Sequence, residues 1–210
     1  VAIARKASEE LAGTQARETP KQSPNPAPLL NKLKAQALGL GDELQGGFGR
    51  QSRFPMAPQL SVLLEMQARE PDRRLADFLT LTLNQMASQG LRDLLASGFF
   101  RYTVDPDWQI PHFEKMLYNQ ALHIPLYLRA AEVLEVPAFR TVARGTLDFV
   151  LRHMARADGG FISSLSALDE RGIEGGGYLW SSGQLKKLLD TQERRLAGLV
   201  WGMQDTPNND

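Results

Sequence analysis

Two kinds of connector alternate along this chain, and the alternation narrows the fold more than any other feature. Stretches with apolar residues at three- and four-residue steps run over 59–70 and 71–88, and only Pro71 separates them. A second pair, one helix starting at Pro111 and the next spanning 138–157, is divided by the Val136-Pro137 step. Long loops rich in glycine and aromatic residues lie between the pairs, at 45–58, 89–111 and 158–181. Helices joined by a short turn pack antiparallel as a hairpin. Successive hairpins with long loops at their other end give an α-solenoid or an α/α toroid, and the class expected is all-α. No repeat of fixed length is visible, which argues against tetratricopeptide or ankyrin arrays.

The helices carry their own start and stop signals. The stretch 29–40 ends at Gly41, and Pro55 and Pro58 precede 59–70. Pro71-Asp72 opens a helix bearing Leu75, Phe78, Leu79, Thr82 and Met86 on one face. Phe113, Met116, Leu117, Ala121, Ile124 and Leu128 form the stripe of the helix that Pro111 starts, and Pro125 is expected to kink it or end it early. Phe139, Val142, Ala143, Leu147, Val150, Leu151 and Met154 keep register in the fifth helix. A short helix covers 182–189, with 193–203 extending it or adding another turn.

Composition excludes several function classes. The 24 basic and 24 acidic residues cancel, so nothing drives generic binding to a phosphate backbone and no nucleic-acid partner is expected. No apolar run reaches ~18 residues, so no membrane span is expected. The opening VAIARKASEELAG lacks the layout of a secretory signal, and there is no cysteine for disulfides, thiol nucleophiles or Cys-based metal sites. Both features fit a cytoplasmic protein. His123 and His153 read as helix residues facing solvent or the hairpin seam, with no second ligand three or four residues away, so no metal and no cofactor is expected. Residues 12–28 are rich in Pro, Gln, Ser, Thr and Ala and cannot offset their ordering entropy by burial, which makes them a linker. The tail 204–210 is polar and expected to fray.

The chemistry-bearing residues concentrate in the loops. His112 directly follows Pro111, at the expected helix start, where the positive helix end favours a neutral imidazole that can abstract or donate a proton. The plainer alternative is that His112 only caps the helix. Glu114 and Tyr118 are four apart, so they share a face of that helix, as do Lys115 and Asn119. Glu114 serves as an acid–base group or a hydroxyl acceptor, or merely as a favourable charge at a helix start. In the preceding loop, Tyr102 and Trp108 can stack on a sugar ring while Arg101, Asp105 and Asp107 bind hydroxyls. The alternative is a structural turn at Asp105-Pro106 beside an Arg101–Asp105 ion pair.

Three segments occur in order: GGFGRQSRFP (46–55), GFFRYTVDPDWQIPHFEKMLYNQA (98–121) and GGFISSLSALDERGIEGGGYLW (159–180). Together they resemble the thioredoxin-domain-containing family that includes the spermatogenesis-associated thioredoxin-like proteins. HFEKMLYNQA is the most specific part. The resemblance implies an N-terminal thioredoxin-like domain followed by an (α/α)6 toroid like those of six-hairpin glycosidases and N-acylglucosamine or cellobiose 2-epimerases. About six helices are present against about twelve in a complete toroid, so the toroid is expected to be incomplete. The implied organisation is an exit from the missing thioredoxin-like domain over 1–28, the first half of the toroid over 29–203, and a disordered tail over 204–210. Exposed helix faces would then allow self-association.

The resemblance implies a saccharide ligand, with His112, Glu114 and Asp169 as catalytic candidates. Arg53, Arg101, Tyr102, Asp105, Trp108, Tyr118 and Glu174 are the binding candidates. Arg53 stands where relatives carry a lysine and offers a fork rather than a point charge. Arg171 stands where relatives carry a second Asp, which weakens a paired-carboxylate glycosidase site. Two functions follow: an epimerase- or isomerase-like acid–base enzyme, or a non-enzymatic glycan- or protein-binding scaffold attached to a thioredoxin-like domain. A half-toroid supplies one wall of the pocket, so the chain alone is expected not to turn over.

Overall fold

The computed structural model describes residues 25–201. Most of the expected linker, and all of the expected tail, lie outside the described residues. Contacts divide the chain into 1–36 and 37–210, a boundary eight residues beyond the expected 28/29 and inside helix α1 (Ala27–Leu40).

The expected hairpins form. Helix α2 (Ala57–Arg69) has a proline in its first turn, and α3 (Arg73–Ser88) is capped by Asp72, whose carboxylate accepts from the Leu75 amide at 3.1 Å. In the tight join between them Gln67 Oε1 accepts from the Asp72 amide at 3.0 Å. Helices α4 (Leu117–Val133) and α5 (Ala138–Phe149) make the second hairpin. Packing of α2 against α4 places the two hairpins side by side. Their facing stripes form one core: Leu60 and Leu64 of α2, Leu75, Leu79 and Leu83 of α3, Tyr127 and Ala130 of α4, and Phe139 and Ala143 of α5 are all buried. Each fully buried Leu or Phe contributes about 1.5–3 kcal/mol.

Pro125 does not end α4, which runs eight residues past it. The proline leaves the Ala121 carbonyl without its helical donor, but both residues lie on the exposed face, where water can supply one. The fifth helix is shorter than expected: α5 gives way at Val150–Met154 to a π-helical turn. At the C-terminal side, α6 (Ser182–Leu188) opens with a reciprocal capping box between Ser181 and Gln184. Asp190 then starts a separate helix, α7 (Thr191–Trp201), accepting from the Gln192 and Glu193 amides.

The main departure is at Pro111. The expected helix begins six residues later, at Leu117. Residues 111–116 are extended instead. Strand β1 (Tyr102–Thr103) pairs antiparallel with β2 (Pro111–His112), and β3 (Lys115–Met116) pairs antiparallel with β4 (Ser164–Leu165). The Glu114 carbonyl accepts from the Arg101 amide and the Leu117 amide donates to the Ser163 carbonyl, both at 2.9 Å. Backbone groups that a helix would pair internally are thus taken by two loops distant in sequence. His123, expected toward solvent or the hairpin seam, is completely buried in α4 and stacked on Phe99 at 4.2 Å. No helix among the described residues is long and apolar enough to cross a bilayer.

Candidate functional site

An extended segment sends successive side chains to opposite faces. Along 111–116 this puts His112 and Glu114 outward, with side chains 24% and 30% exposed, and Lys115 inward, with none. Phe113 also packs inward, stacked on Tyr178 at 5.5 Å and edge-on to Phe100 at 5.4 Å.

All three long loops meet around this strand. Arg53 and Thr103 exchange both backbone hydrogen bonds, at 2.9 and 3.0 Å, joining the first loop to the second. Phe54 stacks on Tyr102 at 4.6 Å, and Tyr102 stacks on His112 at 5.0 Å. The third loop brings Glu174. Its Oε1 lies 2.8 Å from His112 Nδ1, while Glu114 Oε2 lies 3.3 Å from Nε2. The imidazole therefore stands between two carboxylates. A neutral ring donates to one of them and keeps a lone pair toward the other, whereas an imidazolium donates to both. Arg101 Nη1 donates to the same Glu114 Oε2 at 2.9 Å. That bond, with the nearby Tyr118 hydroxyl adding to it, raises the Arg101 pKa above its ordinary value. Six residues singled out in the sequence thus share one place: Arg101, Tyr102, His112, Glu114, Tyr118 and Glu174.

Four others do not. Arg53 is 1% exposed, and each of its guanidinium nitrogens is engaged: Nε donates to Pro106 O at 2.8 Å, Nη1 to Gly49 O at 2.6 Å, and Nη2 pairs with Asp42. It bolts two loops together and has no face left for a ligand. Trp108 is fully buried, with its indole N–H donating to Gln45 O at 3.0 Å. Gly47 lies flat against its ring, where a Cβ would stand 2.5 Å from Cζ2, so no sugar can reach that face. Asp105 accepts from the amides of Asp107, Gln109 and Ile110 and caps a turn, as the plainer reading had it, but Arg101 pairs with Glu114 rather than Asp105. Asp169 is held by the Ile173 amide, by the Arg171 guanidinium and by the Arg171 amide, which together hold its pKa below the usual range. It orders the third loop and is not at the His112 site.

Two assignments change with the geometry. Because residues 111–116 are extended, His112 is not at a helix start, and neither Glu114–Tyr118 nor Lys115–Asn119 is a helical pair. Tyr102 has its ring committed to both Phe54 and His112, so the exposed aromatic surface at the site belongs to Phe54, 45% exposed, and Tyr118, 55% exposed. Sequence reasoning passed over Phe54 and the buried Lys115–Asp93 pair. The polar–apolar alternation His112-Phe113-Glu114 was the signal for a strand, but the helix stripe continuing from Met116 masked it. Among the described residues no group of three His, Asp or Glu side chains is arranged to hold a metal ion.

The fold and the site define an α/α-toroid protein with an open His–carboxylate constellation at its loop end. Among solved structures, the cellobiose 2-epimerase of Spirochaeta thermophila matches with a TM-score of 0.58 at 18% identity, over 70% of this chain and 42% of the epimerase. A D-mannose isomerase matches with a TM-score of 0.52 at 14% identity, over 66% of this chain and 39% of the isomerase. No protein-family model matches the chain. It is 37% identical to spermatogenesis-associated protein 20 of Rattus norvegicus over 179 residues, and 35% identical to the Homo sapiens protein. Those alignments cover 80% of this chain and 23% of each relative. An uncharacterized protein of Caenorhabditis elegans is 31% identical over 171 residues, with 75% of this chain covered. The chain spans about a quarter of the length of these relatives.

Proposed function

We propose that this region contributes one wall of a saccharide site and that His112 is its acid–base group, acting in an epimerase- or isomerase-like proton transfer. The observation that carries the reading is the imidazole held between Glu114 and Glu174, one ring nitrogen toward each. Glu174 on Nδ1 orients the ring and supports the charge it gains, and in the proposed reaction the sugar displaces Glu114 from Nε2 so that this nitrogen takes the proton. In the proposed reaction that proton comes from the carbon beside a sugar carbonyl. Arg101 is neutralised by Glu114, so the ligand is an uncharged sugar whose hydroxyls meet Arg101, Tyr118 and Glu174 and whose apolar face meets Phe54. The likeness to a cellobiose 2-epimerase and a D-mannose isomerase supports the toroid, and with it the reaction class by analogy.

Inverting a sugar carbon needs a proton delivered to the face opposite the one it left. The proposal assigns that second group to the part of the toroid beyond the matched 42%. The constellation here is open, with Glu174 53% and Tyr118 55% exposed, so a polar contact to a sugar competes with water. The chain alone binds saccharide weakly and does not turn it over. The deciding experiment is solvent-deuterium incorporation at the carbon beside the carbonyl, across a saccharide panel, with a protein of the relatives' full length and with the 210-residue chain. Exchange by the long form that His112→Ala abolishes supports the reading. Saccharide binding without any exchange in the long form makes the site a glycan-binding surface instead.

A further inference from the structure

We propose that Lys115 is a positioning residue: its buried ammonium ties together the two segments that hold the carboxylates on either side of His112. The first segment is β3 itself. Lys115 follows Glu114, and in an extended strand anchoring one side chain inward fixes its neighbour outward. The anchor is specific. Lys115 has no exposed surface, and its Nζ donates to Asp93 Oδ2 at 2.7 Å and to Ser97 O at 3.0 Å. Asp93 in turn accepts from the Leu95 and Ala96 amides at 2.9 Å, and Ser97 holds a left-handed backbone at φ 67°. One ammonium thereby fastens β3 to the whole 93–97 turn.

The second segment carries Glu174. The rings of Phe149, Phe100 and Tyr178 stand 4.3, 4.8 and 5.0 Å from the ammonium, within cation–π range. Tyr178 donates its amide to Gly175 O at 2.8 Å and stacks on Phe113. Gly175 rests so closely on Phe113 that a Cβ there would lie 2.5 Å from Cε2. Glu174 is therefore set through Gly175, Phe113 and Tyr178 by the same ammonium that sets Glu114. A cavity of about 300 Å³ borders Asp93, Lys115, Phe149 and Tyr178, so directional bonds rather than close packing define the position on that side. A buried ion pair of this kind is seldom the most stabilising choice, because an apolar pair of the same volume is often as stable. Its contribution here is geometry at His112.

The test uses the full chain with 15N-labelled histidine and rests on the reading of His112 only in its importance, not in its readout. Lys115→Met should move the His112 ring resonances toward those of an imidazole without carboxylate partners, while those of His123, stacked in the core, stay in place. Should the single variant unfold because Asp93 is left buried and unpaired, Asp93→Asn with Lys115→Met removes both charges, and the same displacement is expected in a folded protein. Native His112 resonances in either folded variant overturn the proposal. So does a double variant that fails to fold, since the pair is then a general stabiliser. Failure of every saccharide to bind the native protein sinks the proposed function and leaves this result standing.

Discussion

The two hairpins and the loop assembly are held together by different means. In the hairpins, aliphatic and aromatic stripes on α2 to α5 close on one another. In the loops, single polar side chains do the work: Arg53 joins 42, 49 and 106, Asp105 caps 107–110, Asp169 orders its own loop, and Lys115 joins 93 and 97. Burial in the core is additive and non-directional, so it tolerates conservative exchange. A buried polar side chain holding several partners fails all at once, because each orphaned partner then loses its hydrogen bond. The core should therefore respond to volume and the loops to hydrogen-bond chemistry.

The largest expected effect lies in the core. Phe139→Ala removes a ring 1% exposed and should cost about 3–5 kcal/mol in urea unfolding, whereas Phe139→Leu costs clearly less. Equal costs would deny that volume governs this region. Next is a core group that obeys polar rules. Burial lowers the His123 pKa to about 4; Nδ1 lies 2.6 Å from Asn119 O, and Nε2 has no partner among the described residues. Its neutral form is stabilised by folding, so this contribution is complete above pH 6.5 and is lost as pH falls from 6.5 to about 4, by about 3 kcal/mol. The acidic groups Asp42, Asp93, Asp105 and Asp169, whose pKa values are lowered, act below that window. Urea midpoints at pH 7, 5.5 and 4.5 measure the slope, and His123→Phe should flatten it.

Smaller effects belong to the loops. Arg53→Met keeps the volume but removes the donors to the Gly49 and Pro106 carbonyls and the cation beside Asp42, at about 1–3 kcal/mol. Amide exchange should accelerate at Arg53 and Thr103 while amides of α3 stay protected; uniform acceleration would mean the loops and hairpins are one cooperative unit. His112→Ala should change stability by no more than about 0.5 kcal/mol, as befits a part-exposed side chain, yet abolish exchange at the sugar carbon in a protein of the relatives' full length. Phe54→Ala should likewise leave the melting curve in place and weaken saccharide binding roughly threefold to tenfold by titration calorimetry, the loss of one stacking face. Unaltered binding would move the apolar contact away from Phe54.

Much of this molecule was determined by the sequence alone. Pro71 and the Val136-Pro137 step mark the hairpins because a proline stop and a three-to-four-residue apolar period act within a dozen residues. The residue types around His112 were legible for the same reason, since they crowd into two loops and one short motif. What only the tertiary structure decided is the backbone state of 111–116 and everything that hangs on it. The stripe from Phe113 to Leu128 suits a helix as well as a strand followed by a helix. The choice is made by Tyr102 opposite His112 and by Leu165 opposite Lys115, fifty residues away, which no local pattern reveals. The same holds for Arg53, Trp108, Asp105 and Asp169. A polar or amphipathic side chain serves a ligand or a fold equally well, and the backbone partners that the fold presents to it settle which.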